Sequence, residues 1–204
     1  MPGKIAKPLK IGVTGGFGSG KTSVCRVFSI LGVPVFYADP EARAIMESDK
    51  SVIEKIKSAV KKDVYASGSL DRQMLADLIF KDESLLKKIN SIVHPALYRH
   101  FLQWSEKQDA PYVIIEAAIL IESGGRDYVD KIISVIAPLE ERIARITLKN
   151  KLTREQVMER IRNQTDDDTR IKYSDYVIYN SDDDMIIPEI LRIHEDILKS
   201  IKTS

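Results

Sequence analysis

Five short runs of apolar, mostly β-branched residues stand out along the chain. They are the candidate strands Leu9–Thr14, Val33–Ala38, Tyr112–Ala117, Lys131–Ala137 and Tyr176–Tyr179. Most of these runs are almost continuously apolar, which is typical of strands that are covered on both faces. Segments with helical spacing separate them, and Gly32 is a plausible stop for the first helix. The pattern therefore predicts an α/β fold with a doubly wound, five-stranded parallel sheet.

The stretch between the second and third candidate strands is much longer than one crossover helix requires. It carries three apolar stripes with helical spacing, which begin at Val52, Leu75 and Leu85. We interpret it as a helical insertion beside the carboxyl edge of the sheet, where open α/β sheets bind ligands. The predicted division is a nucleotide-binding core of residues 1–39, 110–138 and 166–204, a helical substrate subdomain of residues 40–109, and a lid of residues 139–165.

The segment from Leu139 to Arg170 is rich in basic residues and is predicted to form two helices. Its basic residues are Arg142, Arg145, Lys149, Lys151, Arg154, Arg160, Arg162 and Arg170. One interpretation is a solvated helical hairpin, because Glu140, Glu141, Glu155 and Glu159 can pair with them. The other is an arginine-bearing lid that closes over phosphates. The acidic runs Asp166–Asp168 and Asp182–Asp184 are expected to be solvated turns.

Composition narrows the class of partner. The net charge is +1, so no bulk electrostatic attraction to nucleic acid or to a membrane is expected. The one cysteine, Cys25, excludes an intramolecular disulfide and a multi-cysteine metal site, and its helical position predicts that it belongs to the core. The first ten residues lack the apolar stretch of a signal peptide, and a cytoplasmic location is the expectation.

The strongest chemical signal is a complete phosphate-binding loop. Residues Gly15–Thr22 read GGFGSGKT, which fits G-x-x-x-x-G-K-[ST] between a predicted strand and a predicted helix. The predicted ATP-binding residues are Gly15, Gly16, Gly18, Ser19, Gly20, Lys21, Thr22 and Ser23. Glycine lets successive N–H groups turn toward a phosphate, Lys21 can reach the β- and γ-phosphates, and the Thr22 hydroxyl can bind Mg²⁺. No role is assigned to Phe17, a variable position of the motif.

Two carboxylates are expected at the carboxyl ends of strands. Asp39 ends the second candidate strand and can act as the base that accepts the proton of a substrate hydroxyl. The alternative is that Asp39 caps the following helix, because Asp-Pro-Glu is a favourable helix start. Glu116 ends the third candidate strand and can hold a water on Mg²⁺ or orient the substrate. The alternative is an ordinary strand-end carboxylate that faces water.

At this point the chain resembles the dephospho-coenzyme A kinase family over residues 11–180. The resemblance lies in the opening IGVTGGFGSGKTSV, in LGVPVFYADPEAR, in GSLDRQMLADLIF with INSIVHP, in VIIEAAILIESG, in APLEERIARITLKNKLTREQVMERIRNQ and in SDYVIYNSD. It implies that Asp39 is the catalytic base, that Arg72 and His94 contact the substrate, and that Arg145 is a lid arginine. It also implies that the backbone around Asn180 contacts the adenine.

The chain departs from the family pattern in three segments. Tyr37 stands where the family usually has the first Asp of an Asp-Ala-Asp pattern, and Ala118 replaces a usual Pro. Lys149 and Asn150 stand where Arg-Asp is usual, and lysine lacks the bidentate fork of arginine. The separate alternative that His94-Pro95 is simply a helix-start turn remains open from the sequence.

The resemblance implies that the chain transfers the γ-phosphate of ATP, with Mg²⁺, to the ribose 3′-hydroxyl of dephospho-coenzyme A. ATP and dephospho-coenzyme A are then its partners, and a monomer or weak homo-oligomer is expected. One alternative is a kinase that acts on a nucleoside monophosphate or another small alcohol. A second alternative, from a different class, is a non-catalytic protein that senses ATP. A base at Asp39 favours a kinase over a sensor.

Overall fold

The computed structural model describes residues 7–150 and 152–202, without the Asn150 side chain. Lys151, one of the basic residues named above, lies outside the described residues. In chain order the elements are β1 (Leu9–Gly15), α1 (Lys21–Ile30), β2 (Val35–Tyr37), α2 (Ala38–Ser48), α3 (Lys50–Ala59), α4 (Arg72–Lys81), α5 (Glu83–Ser105), β3 (Tyr112–Glu116), β4 (Lys131–Ile136), α6 (Leu139–Asn150), α7 (Arg154–Arg162), α8 (Asp167–Lys172), β5 (Tyr176–Tyr179) and α9 (Ile186–Lys202).

The five strands form one sheet in the order β2-β3-β1-β4-β5, and every pairing is parallel. The prediction of a five-stranded parallel α/β sheet is confirmed. β1 lies at the centre, with Val13 opposite both Glu116 of β3 and Ile133 of β4. Because all strands run the same way, their carboxyl ends share one edge, and the loop after β1 begins there.

A continuous apolar core holds α1 and α9 against the sheet. Its fully buried members include Ile11, Phe28 and Ile193, which come from β1, α1 and α9. Cys25 belongs to this core, as predicted, and its burial raises the pKa of the thiol well above its usual range, with the Glu116 charge adding to the effect. Residues 112–115 of β3 and 132–135 of β4 are buried at every position, so these strands are covered on both faces, as their continuous apolar runs predicted.

The described chain separates into two compact units, one of residues 38–103 and one of the residues before and after that segment. In the first unit, Val52 and Ile56 of α3 are buried, as are Leu75 of α4 and Ile89 of α5. The predicted apolar stripes therefore supply its core. Among the described helices, none combines the length and the apolar character that a membrane crossing requires.

Several local predictions were wrong. The second strand ends at Tyr37, and Ala38 already begins α2. The segment after β4 forms three helices, α6, α7 and α8, instead of two. His94 and Pro95 do not start a helix, because α5 continues through both. Ile89, Val93, Leu97 and Phe101 of α5 are buried, and their packing offsets the local cost of an internal proline.

Candidate active site

The phosphate-binding loop joins β1 to α1, as its motif predicts. Gly18 and Gly20 have φ values of 84° and 93°, a left-handed conformation that side chains with a Cβ rarely adopt. Gly20 is the N-cap of α1, and its carbonyl accepts hydrogen bonds from the Ser23 and Val24 N–H groups. The positive end of the α1 dipole therefore points toward the loop, where an anion is stabilised.

Lys21 is the first residue of α1 and is 8% exposed. Its Nζ donates hydrogen bonds to the carbonyl oxygens of Gly15 at 2.9 Å and Gly16 at 3.1 Å. The ammonium group is thus held over the loop by backbone acceptors. A charge held in this way is available to phosphate oxygens without a large change of the loop.

Thr22 and Glu116 bring two oxygen atoms together beside the loop. The Thr22 hydroxyl donates to Glu116 Oε2 at 3.5 Å, and Glu116 is the last residue of β3. Mg²⁺ prefers oxygen donors and is usually held by one or two protein oxygens together with substrate phosphates and water. No group of three or more acidic, histidine or cysteine residues suited to a metal occurs in the described part of the chain. A hydroxyl and a carboxylate at this position nevertheless fit Mg²⁺ held with a nucleotide.

Asn180 connects the loop after β5 to the phosphate-binding loop. Its Nδ2 donates to the Ser19 carbonyl oxygen at 2.8 Å, and a Cβ added to Gly20 would collide with this amide. Arg145 of α6 donates to the Asn180 carbonyl oxygen at 2.9 Å. The structure therefore brings together Ser19, Arg145 and Asn180, which the sequence singled out at separate places. A cavity of about 350 Å³ lies beside them and is lined by Ile136, Ala137, Pro138, Leu139, Asp167, Tyr179, Asn180, Ser181 and Asp184.

A buried group of charges behind the loop was missed by the sequence analysis. Arg142 is 4% exposed and Arg170 is 1% exposed. Asp167 accepts from Arg142 Nη1 at 3.3 Å through one oxygen and from Arg170 Nη1 at 2.7 Å through the other. Glu122 Oε1 lies 3.8 Å from Arg170 Nη2. The expectation that the run Asp166–Asp168 is a solvated turn was therefore wrong.

The basic segment forms the ion pairs of the solvated-hairpin interpretation, and its role as a lid over phosphates stays a prediction. Arg154 pairs with Glu140 and Arg145 with Glu141, as the solvated-hairpin interpretation requires. Arg145 also pairs with Asp182, so the second acidic run is not merely solvated. No sequence signal separated Arg142 and Arg170 from the other basic residues.

The structure shows the contacts or the exposure of three residues that depart from the family pattern, Tyr37, Ala118 and Lys149. Tyr37 packs against the core, and its hydroxyl is hydrogen-bonded to Ser29 of α1. Burial is the main reason that its pKa lies above its usual range. The Ala118 carbonyl accepts from the Thr14 hydroxyl at 3.4 Å. Lys149 is exposed near the end of α6.

Three predicted site residues belong to the unit of residues 38–103. Asp39 is exposed and lies in the first turn of α2, so it neither ends the strand nor precedes the helix as an N-cap. A carboxylate in a first turn is favoured by the helix dipole. Arg72 donates to Glu47 Oε1 from Nε and Nη2. His94 is half-buried in α5, and burial lowers its pKa below its usual range. The roles of these residues stay predictions.

Comparison with known proteins identifies the family. The family described as Dephospho-CoA kinase matches residues 9–185. A dephospho-CoA kinase of Bacteroides fragilis is 38% identical over 186 residues, which cover 91% of this chain and 91% of that protein. A dephospho-CoA kinase of Porphyromonas gingivalis is 32% identical over 93% of this chain and 94% of its own.

Solved structures share the fold. The structure of TT1252 from Thermus thermophilus has a TM-score of 0.80 at 30% identity and covers 96% of this chain and 98% of its own. The dephospho-CoA kinase from Campylobacter jejuni has a TM-score of 0.68 at 24% identity over 94% of this chain and 98% of its own, a likeness of fold alone. From the family match and the relatives above 30% identity, we conclude that this chain belongs to the dephospho-CoA kinase family.

Proposed function

We propose that this protein transfers the γ-phosphate of ATP to the ribose 3′-hydroxyl of dephospho-CoA and releases CoA and ADP. The observation that carries the proposal is a complete phosphate-binding loop whose Thr22 hydroxyl faces Glu116, in a chain of this family. ATP and dephospho-CoA are the two substrates. We extend the proposal to a cytoplasmic location and to a monomer or weak homo-oligomer.

The phosphate-binding loop holds the triphosphate. Backbone N–H groups of the loop and the positive end of the α1 dipole face the phosphates, and Lys21 balances the charge that develops on them. The cavity beside Asn180 takes the adenine, because it combines apolar walls from Ile136, Ala137 and Pro138 with backbone groups after β5. Asn180 then links the base to the loop through its bond to Ser19.

Thr22 and Glu116 are the residues that would hold Mg²⁺ with the bound nucleotide. When bound, the ion neutralises phosphate charge and helps to align the γ-phosphate. Glu116 has a further role in orienting the acceptor.

The Arg145 guanidinium, held by the Asn180 carbonyl, Glu141 and Asp182, supplies positive charge from α6. Residues 139–165 act as the lid and residues 40–109 as the substrate subdomain.

Asp39 is the base. As the 3′-oxygen of the acceptor bonds to the γ-phosphorus, the bond from that phosphorus to the bridging oxygen of ADP breaks. The hydroxyl proton passes to the Asp39 carboxylate. Arg72 and His94 bind dephospho-CoA. Most of the rate enhancement then comes from positioning and from charge stabilisation.

The decisive experiment follows ADP release and product mass with Mg·ATP and one acceptor at a time. Dephospho-CoA, AMP, CMP and small sugars are the acceptors. We expect turnover with dephospho-CoA and a product heavier by one phosphoryl group. Turnover with another acceptor alone would support a different small-molecule kinase, and ATP binding without any turnover would support an ATP sensor.

Two variants test the assigned roles in the same assay. Asp39→Asn keeps the shape of the side chain but removes the base, so we expect ATP affinity to persist and turnover to fall about 100-fold or more. Lys21→Ala should weaken both ATP binding and turnover, because it removes charge from the phosphate site. Equal loss of ATP affinity and turnover in Asp39→Asn would contradict the base assignment.

A further inference from the structure

Both backbone polar groups of Phe17, in the middle of the phosphate-binding loop, are bound by distant side chains. The Phe17 N–H donates to Gln164 Oε1 at 2.7 Å. The Phe17 carbonyl oxygen accepts from Arg142 Nε at 3.0 Å. These partners lie 147 and 125 residues away along the chain. The loop is therefore held at Phe17 by distant side chains, in addition to the bond that the Ser19 N–H donates to the Gly16 carbonyl within the loop.

The Phe17 side chain is held by the same region. Its ring packs against the small core formed by Ile143, Ile146 and Val157 of α6 and α7. The guanidinium carbon of Arg160 lies 5.4 Å from the ring centroid, a cation–π distance. Phe17 is thus inserted into the α6–α7 pair, which explains an apolar residue in a loop otherwise made of glycine and serine.

Arg142 is itself held rigidly. Its side chain is 5% exposed and is paired with Asp167, which also binds Arg170. Arg170 Nε and Nη2 are buried and make no hydrogen bond among the described residues. Since two buried guanidinium groups share Asp167 as their hydrogen-bonded carboxylate, moving one of them would expose an unbalanced charge. Arg142 therefore has little freedom to leave Phe17.

Gly16 lies directly against the Arg142 guanidinium. A Cβ added to Gly16 would overlap the Arg142 guanidinium. Gly16 does not have a positive φ, so its backbone alone would accept a larger residue. The guanidinium, and not the loop conformation, is what requires glycine at this position.

We propose that Arg142 is a positioning residue. Together with Gln164 it forms a clamp, the two hydrogen bonds that hold the phosphate-binding loop at Phe17, and this clamp sets the affinity of the loop for the phosphates of ATP. This proposal rests on the proposed function. The Arg142 guanidinium is engaged by the Phe17 carbonyl and by Asp167, so it acts through the shape of the loop and not on the substrate. With the Phe17 N–H and carbonyl held by these side chains, the backbone of the loop keeps the conformation in which it can surround a phosphate.

The first test separates ATP binding from acceptor binding in the full chain. Arg142→Met removes the charge-assisted hydrogen bond to the Phe17 carbonyl together with the pair to Asp167, so we expect the KM for ATP to rise about tenfold, with the KM for dephospho-CoA changed less than about twofold. Arg142→Lys should recover little, because lysine cannot reproduce the planar fork. Arg192→Met, an exposed arginine of α9 paired with Glu189 and Asp196, is the matched control and should leave both KM values unchanged.

A structural role alone predicts a different result. Ile193→Val in the core beside α9 lowers stability without touching the loop. It should lower the melting temperature and leave the KM for ATP unchanged. If Arg142→Met behaves like Ile193→Val, the clamp is overturned. Should Arg142→Met not fold, Gln164→Leu serves instead, since it removes the acceptor of the Phe17 N–H. It should raise the KM for ATP about threefold or more, and an unchanged value overturns the clamp.

A double-mutant cycle tests the contact itself. Gly16→Ala in the wild-type chain should weaken ATP binding about tenfold, measured by calorimetry with Mg·ATP. In an Arg142→Ala background the same change should cost less than about twofold, because the colliding guanidinium is gone. Equal costs in both backgrounds overturn the proposal. A wild-type chain that binds ATP but does not phosphorylate dephospho-CoA would instead contradict the proposed function and leave this cycle measurable.

Discussion

Two arginines one turn apart on α6 have opposite surroundings. The side chain of Arg142 is 5% exposed and that of Arg145 is 28% exposed. Arg142 binds one carboxylate and one loop carbonyl, whereas Arg145 binds two carboxylates and the Asn180 carbonyl. The buried arginine has two partners and little access to water that could replace them, whereas the more exposed arginine has three partners and water as a substitute.

The difference teaches which charge does which work. A buried guanidinium is poorly solvated, which lowers the pKa of Arg142 from its usual value, although Asp167 opposes the effect. Such a group is suited to holding structure, because breaking its pair is costly. Arg145 is accessible and can exchange its present partners for phosphate oxygens at small cost. Arg142 is thus suited to support the loop, whereas Arg145 is suited to the ligand role proposed above.

The largest effect should come from removing the shared carboxylate. Asp167→Ala leaves Arg142 and Arg170 buried without their common partner, so we expect a loss of about 3 kcal/mol in the free energy of unfolding. The matched variant is Asp182→Ala, which removes an exposed partner of Arg145 and should cost far less. Urea denaturation of both measures the contrast. Equal losses would show that burial does not distinguish the two arginines.

Catalytic activity should depend more on the accessible arginine, Arg145, than on the lysine that follows it along α6. Arg145→Met is expected to lower kcat/KM about 100-fold with little change in stability, because it removes charge that stabilises the transition state. Lys149→Met, one turn further along α6, should cost about tenfold or less, since its exposed ammonium lacks the fork of arginine. Steady-state kinetics with both substrates measure this. A larger loss in Lys149→Met would assign the phosphate contact to the lysine.

A smaller effect is expected on the pH dependence of stability, through protonation of the half-buried His94. Burial lowers the pKa of His94 from its usual 6.5, so the unfolded chain takes up the proton first as the pH falls. Its contribution to stability is complete above pH 6.5 and is lost as the pH falls through the lower folded pKa. Urea denaturation between pH 7 and 5 should show a shallower loss in His94→Gln than in the wild type. Parallel curves would contradict this.

The smallest effect is expected at Arg154. This residue pairs with Glu140 at 2.6 Å, but the two side chains are 54% and 70% exposed. Water screens such a pair, so Arg154→Met should leave the melting temperature unchanged. Differential scanning calorimetry at low and high salt measures this. A clear salt-dependent loss would mean that surface pairs also stabilise the α6–α7 hairpin.

The features that the sequence by itself determined are those encoded in contiguous residues. The five apolar runs became the five strands, and the glycine-rich motif became a loop before α1 with Lys21 at the helix start. Both signals are local, because alternation of strands with helices and the backbone freedom of glycine do not depend on distant residues. The same holds for the core position of Cys25, which follows from the helical spacing of its neighbours.

The tertiary structure alone decided which charges are buried. Arg142 and Arg170 were two basic residues among eight, and Asp167 was one residue of an acidic run. Arg142 reaches the pair of Asp167 and Arg170 only because α6 and α8 pack together in the folded chain. The same packing brings Arg142 and Gln164 into contact with Phe17. The burial of a charge depends on contacts between residues far apart in the chain, and a local pattern carries no information about them.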